Sequence, residues 1–287
     1  MVRTAIHAGV WSTDPDPETL RHVLAEVSET GFDALAIPLR KLETLRPADI
    51  AQAFEEARVT PLGTVGLPAG ADVSSHDAEQ RKRGEAHLRE VLAMARDIGV
   101  VQVSGVIYSL LGHAGGPADL ASRQRSAEVI ARVLDFAATT GVRLCAELVN
   151  RYETAMLNTV EQALDYVRMV GHPGLKLHLD TYHMAIEECD PASAARAALP
   201  VLGYFELDQS HRGRLDDGSL DLRAMAVPIR DGGYDGFIGV EAFARSRLAA
   251  DHADALSVWR EHFDDGTALA RNAMSLIREI FHAGADR

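Results

Sequence analysis

Four acidic residues each close a short apolar-rich run: Glu147 in VRLCAEL, Asp180 in GLKLHLD, Glu206 in VLGYFEL and Glu241 in GFIGVEA. Side chains alternate between the two faces of a strand, so parity assigns each acid its neighbours. Glu241 shares a face with Gly239 and Phe237, and Asp180 shares one with His178. Val240, Ile238, Leu179 and Leu177 face the other way. If the runs are strands of a closed barrel, all four acids point toward its axis. Carboxylates crowded there raise one another's pKa steeply unless something positive sits between them, and a divalent metal is the simplest answer.

The rest of the chain supplies the elements such a site needs. Strand-like runs fall at 3–11, 33–39, 59–66, 100–107, 142–148, 174–180, 201–208 and 236–242, eight in all. Amphipathic helical patterns lie between them, notably 17–30, 78–98, 119–140 and 159–170. Several open at Asp, Ser or Thr and close near Gly31, Gly99, Gly141 or Gly171. The signals are weakest for a helix at 47–57 and for the stretch 187–199. The repeated order of helix, glycine and apolar strand is the rhythm of a parallel sheet. An open doubly wound sheet shares that rhythm, but no GxGxxG follows any strand. The expected fold is a single (β/α)8 barrel over 1–287, with a long closing helix at about 255–283, and barrel enzymes keep their chemistry at the C-terminal strand ends.

At 287 residues and 47% hydrophobic, the chain can bury one full core. The net charge of −13 argues against nucleic acid or an anionic membrane as partner, since phosphate binding draws on clustered Lys and Arg. Two cysteines, Cys145 and Cys189, make a disulfide framework improbable and fit a reducing cytoplasm. The N-terminus lacks the apolar segment of a signal peptide, and no run of about 18 apolar residues could span a bilayer. A cytoplasmic protein with a small ligand that is not strongly anionic is expected.

The strings LCAELVNRYETAMLNT, LHLDTYHMAIEE, FELDQSHRG and YDGFIGVEAF resemble the ketose 3-epimerases of the xylose isomerase-like barrel superfamily, those acting on D-tagatose and D-psicose (allulose). The likeness covers most of the chain and is weaker at the start, where GVW, GFD and GVIYSLLG still follow the pattern. It implies that Glu147, Asp180 and Glu241 are metal ligands and that Glu147 and Glu241 also transfer protons. It further implies that Glu153, His183 and Arg212 hold substrate hydroxyls. One position departs: the family's third ligand is a His opening H-x-x-E-x-x-R, and Glu206 stands there, six residues before Arg212. The expected ligands are therefore Glu147, Asp180, Glu206 and Glu241. All-oxygen coordination favours Mn²⁺ or Mg²⁺, with Co²⁺ as an alternative, and no organic cofactor is needed. A homo-oligomer, dimer or tetramer, is expected.

In such a site a cation bound by a ketose carbonyl and its neighbouring hydroxyl acidifies the adjacent C–H and stabilises the enediolate. One acid removes the proton and the other returns it from the far side, inverting the carbon. Other residues have two readings each. Trp11 and Tyr108 either stack on the sugar or pack the barrel mouth. His211 either touches substrate or is merely adjacent. Arg212 either polarises an oxygen or only offsets negative charge. His7 reads as a satisfied core histidine, and Trp259 with Phe263 as core or subunit packing on the last helix. The same scaffold could instead carry an aldose-ketose isomerase, a dehydratase, an enzyme eliminating an aglycone from a 3-keto-glycoside, or a non-catalytic sugar-binding barrel. No Arg/Lys/Gly phosphate cradle is visible, which leans toward an unphosphorylated sugar.

Overall fold

The computed structural model describes residues 2–13, 16–113 and 115–281. Eight parallel strands close on themselves in chain order: β1 (Arg3–His7), β2 (Ala34–Pro38), β3 (Thr60–Gly66), β4 (Gln102–Val106), β5 (Arg143–Glu147), β6 (Leu175–Asp180), β7 (Leu202–Leu207) and β8 (Phe237–Val240). Closure is made by β1 on β8, with Arg3 opposite Phe237 and Thr4 opposite Ile238. Alternation along the strands divides the interior into two clusters. Ala5, Ala34, Ala36, Leu62, Tyr204 and Phe237 form a small one. Their neighbours Ile6, Leu35, Ile37, Phe205 and Ile238 join the large core that the helices cover. This is a (β/α)8 barrel, in which three alanines share the narrow interior with Leu62, Tyr204 and Phe237 while large apolar side chains pack outward.

The surrounding helices are α1 (Pro17–Thr30), α2 (Pro47–Ala57), α3 (Ala78–Ile98), α4 (Leu120–Thr140), α5 (Val160–Val170), α6 (Thr181–Glu187), α7 (Pro191–Ala198), α8 (Leu222–Asp231), α9 (Ala250–Ala255) and α10 (Gly266–Phe281). Their starts follow the caps: Asp16 accepts from the amides of Glu18 and Thr19, and Thr159 makes a capping box with Gln162. The uncertain stretch 187–199 resolves into the end of α6 and all of α7, which Asp190 caps ahead of Pro191.

The closing helix differs from the expected 255–283. The chain turns out of helix at Ser257, whose φ is +56°, and α10 begins only where Asp265 accepts from the Ala268 amide. Residues 282 and 283 lie outside those described. Trp259 and Phe263 are therefore on the loop before α10; Phe263 is buried and Trp259 is 65% exposed beneath the Arg245 guanidinium. Cys145 is buried, Cys189 is exposed and both are free thiols. Among the described residues no helix is long and apolar enough to cross a membrane.

Candidate active site

The four acids arrive at one end of the barrel by different means. Glu147 is the last residue of β5, and the Tyr108 hydroxyl donates to its carbonyl at 2.7 Å. Asp180 ends β6 and also caps α6, its Oδ1 accepting from the amides of Tyr182 (2.7 Å) and His183 (3.2 Å). Glu206 lies on β7 directly opposite Asp180, and its Oε1 accepts from the Tyr204 hydroxyl at 3.2 Å. Glu241 follows β8, where its amide donates to the Leu207 carbonyl and its carboxylate meets the Arg212 guanidinium.

Burial dominates the electrostatics. It pushes Glu147, Asp180 and Glu206 up to about 7; Asp180 is pushed further by Glu206, and Glu147 by Asp180 and Glu206. The opposing charge comes from Arg212, which is 8% exposed and whose Nε donates to Asp208 Oδ2 at 3.1 Å. Asp208 is fully buried, with its carboxyl raised well above the ordinary range by burial and then by Asp180. Nothing in the sequence reading had singled it out. Its parity was the available signal, since it lies two residues beyond Glu206 and so returns to the same face.

Three triads of ligand atoms each lie within 4.8 Å of one another: Glu147–Asp180–His183, His178–Asp180–Glu206 and Asp180–Asp208–Glu241. Asp180 belongs to all three. The four expected acids are thus spread across the triads rather than gathered in one. The donors fit a divalent cation, because Asp180 Oδ2 and Asp208 Oδ1 are buried without a hydrogen-bond partner and buried acceptors of this kind are costly unless occupied.

The remaining residues divide. Glu153 and His183 come to the acids: His183 Nε2 is 3.7 Å from Glu147, and Asn150 bridges His183 and Glu153 with its side-chain amide. Arg212 sits between the rings of Tyr182 and Phe243. His211 does not join them; its ring stacks on His262 at 5.5 Å and touches the Asp217 carbonyl, because Arg212, in the left-handed conformation at φ +56°, turns the loop. Tyr108 is fully buried with its hydroxyl committed, and Trp11, 8% exposed, donates to Thr267 on α10. His7 is buried and neutral, its pKa lowered to about 3 chiefly by burial, and its Nδ1 accepts from the Gly9 amide.

Comparison with known proteins agrees with this architecture. The chain is 34% identical to a ketose 3-epimerase of Arthrobacter globiformis over 97% of its own length and 96% of the relative's. It is 34% identical to an L-ribulose 3-epimerase of Mesorhizobium japonicum over 96% and 93%. The solved structure of a D-allulose 3-epimerase from Methylomonas sp. in complex with D-allulose superposes with a TM-score of 0.94 at 33% identity, covering 97% of both chains. The family model described as the xylose isomerase-like TIM barrel matches residues 24–263. With strands, acids and relatives in agreement over nearly the whole length, the chain belongs to the xylose isomerase-like TIM barrel family.

Proposed function

We propose that this protein is a metal-dependent ketose 3-epimerase in which Glu147 and Glu241 exchange the C3 proton. The observation that carries the reading is that these two acids stand in separate triads sharing only Asp180. A ketose oriented beside Asp180 then offers one face to each. A divalent cation, Mn²⁺ or Mg²⁺, held by Glu147, Asp180, Glu206 and Glu241, would supply the Lewis acid that polarises the carbonyl. The chain's own groups do the rest. Glu147, with its pKa near neutrality, is suited to take and return a proton. Arg212 orients an oxygen, and Asn150 holds His183 and Glu153 where they meet hydroxyls. The names of the relatives support a free ketose as substrate.

The test is turnover in D₂O by the Mn²⁺-loaded protein across a panel of ketoses. One deuterium at C3 of the epimerised product is expected. Exchange at C1 or C2, loss of water, or release of an aglycone from a 3-keto-glycoside would replace the epimerase with an isomerase, dehydratase or lyase. A second reading has its own observation: Arg40, Lys41 and Arg247 line a cavity of about 410 Å³ beside Ser12 and Ser246. That favours a ketose with a terminal phosphate, against the lean toward an unphosphorylated sugar, although Asp251 lies 3.6 Å from both Arg40 and Lys41 and already offsets them. Including phosphorylated ketoses in the panel decides between the two.

A further inference from the structure

We propose that His178 is the nitrogen ligand of the cation, binding alongside Asp180 and Glu206; the inference rests on the metal-dependent reading above. His178 points inward from β6, two residues before Asp180, and is 2% exposed. Its Nε2 lies 3.0 Å from Glu206 Oε2 and its Nδ1 3.7 Å from Glu147 Oε2, yet neither nitrogen has an aligned hydrogen-bond partner. A buried imidazole with both nitrogens unmet is costly unless something else takes the lone pair. The ligand atoms of His178, Asp180 and Glu206 are mutually within 4.8 Å and all three residues are buried.

The other imidazoles near the acids are committed. His183 Nδ1 accepts from the Asn150 amide at 3.1 Å, so its ring proton sits on Nε2, which lies 3.7 Å from Glu147 and has no lone pair to offer a metal. His7 is fixed the same way by the Gly9 amide at 3.0 Å. The support around His178 suits a ligand instead. The Tyr204 ring packs edge-on against it at 4.7 Å while the Tyr204 hydroxyl holds Glu206, so one side chain orients two donors. Gly239, opposite Glu206, makes room for that hydroxyl; a Cβ there would lie 2.2 Å from it. With an imidazole among the donors, Mn²⁺ or Co²⁺ is preferred over Mg²⁺.

The test is electron spin-echo spectroscopy of the Mn²⁺-loaded protein, grown with ordinary or ¹⁵N-labelled histidine. Wild type and His183→Asn are expected to show the coupling of a directly bound imidazole nitrogen. His178→Gln is expected to lose it and to bind Mn²⁺ at least ~10-fold more weakly by titration. A wild-type spectrum without histidine coupling overturns the assignment, as does coupling unchanged in His178→Gln. Should that variant not fold by circular dichroism, the wild type and His183→Asn still decide: coupling that vanishes in His183→Asn makes His183 the ligand and overturns His178. Absent coupling alongside intact deuterium exchange overturns this inference alone. Coupling without exchange on any ketose supports it and overturns the epimerase.

Discussion

The two halves of the barrel end their strands differently. β5 to β8 deliver Glu147, Asp180, Glu206 and Glu241, whereas β1 to β4 end in His7, Pro38, Gly66 and Val106, with no carboxylate among them. The acids on the charged half are raised chiefly by their own burial. The acid half must import its countercharge from a loop. Arg212 is the only Arg or Lys buried among the described residues, and it reaches the site from beyond β7. Charge is concentrated where the cation and substrate would bind, and the opposite wall is passive.

Removing the cation is expected to disable the charged half most severely. Chelation is expected to abolish turnover and lower the melting temperature, with Mn²⁺ or Mg²⁺ restoring both; full activity in protein shown metal-free by elemental analysis would falsify the scheme. Next come single acids. Glu147→Gln and Glu241→Gln should each lower kcat by at least ~10²-fold while substrate still binds, measured by steady-state kinetics and calorimetry. Near wild-type rates in either variant exclude that residue from proton transfer. Glu206→Ala should act on the metal first, raising its Kd and shifting activity to higher metal concentration.

The charged half also gives a pH signature. Glu147, Asp180 and Glu206 hold protons up to about 7 in the fold, above the ordinary carboxylate range of the unfolded chain. The metal-free fold therefore binds more protons than the unfolded chain. The stability this gives is complete below about pH 4 and is lost as pH rises through about 7. The cation competes for the same oxygens, so it binds better as pH rises. Calorimetry should show the melting-temperature gap between loaded and metal-free protein widening from about pH 5 to about pH 8. Arg212→Leu should move the rise in activity to higher pH, because Arg212 holds down the pKa of Glu147, Asp180 and Glu206. A gap of constant size would sink the argument.

The smallest effect on turnover belongs to the passive wall. Gly105 on β4 has φ +145°, and a Cβ there would lie 1.9 Å from the Val65 carbonyl oxygen of β3. Gly105→Ala should cost at least about 1–3 kcal/mol in denaturant unfolding from backbone strain, with kcat per folded molecule little changed. A large fall in kcat at unchanged stability would mean the neutral half takes part in the chemistry.

Legibility in the sequence followed the physics of each element. Strands announced themselves because both faces are apolar, and the acids stood out as breaks at their ends. His178 was visible on the inward face of Asp180, but spacing alone gave it no role, since only the geometry reveals two unmet nitrogens. Asp208 closes the strand-like run 201–208 on the parity of Glu206, but the buried, unpartnered Oδ1 that marks it is visible only in the structure. The place of His211 also needs the fold, because sequence adjacency to Arg212 says nothing about which way a left-handed residue turns the chain. The late start of α10 depends on the left-handed Ser257, a residue type that carries no such signal.

Asp180 has one consequence for how fast the site fills. Its Oδ1 is occupied by two α6 amides and its Oδ2 is left bare, so folding itself aims a lone pair at the ligand position. An incoming ion meets a carboxylate that has already lost its rotational freedom, and little of the binding free energy goes into ordering it. Reloading after chelation should therefore proceed in a single fast phase, without a slower rearrangement behind it.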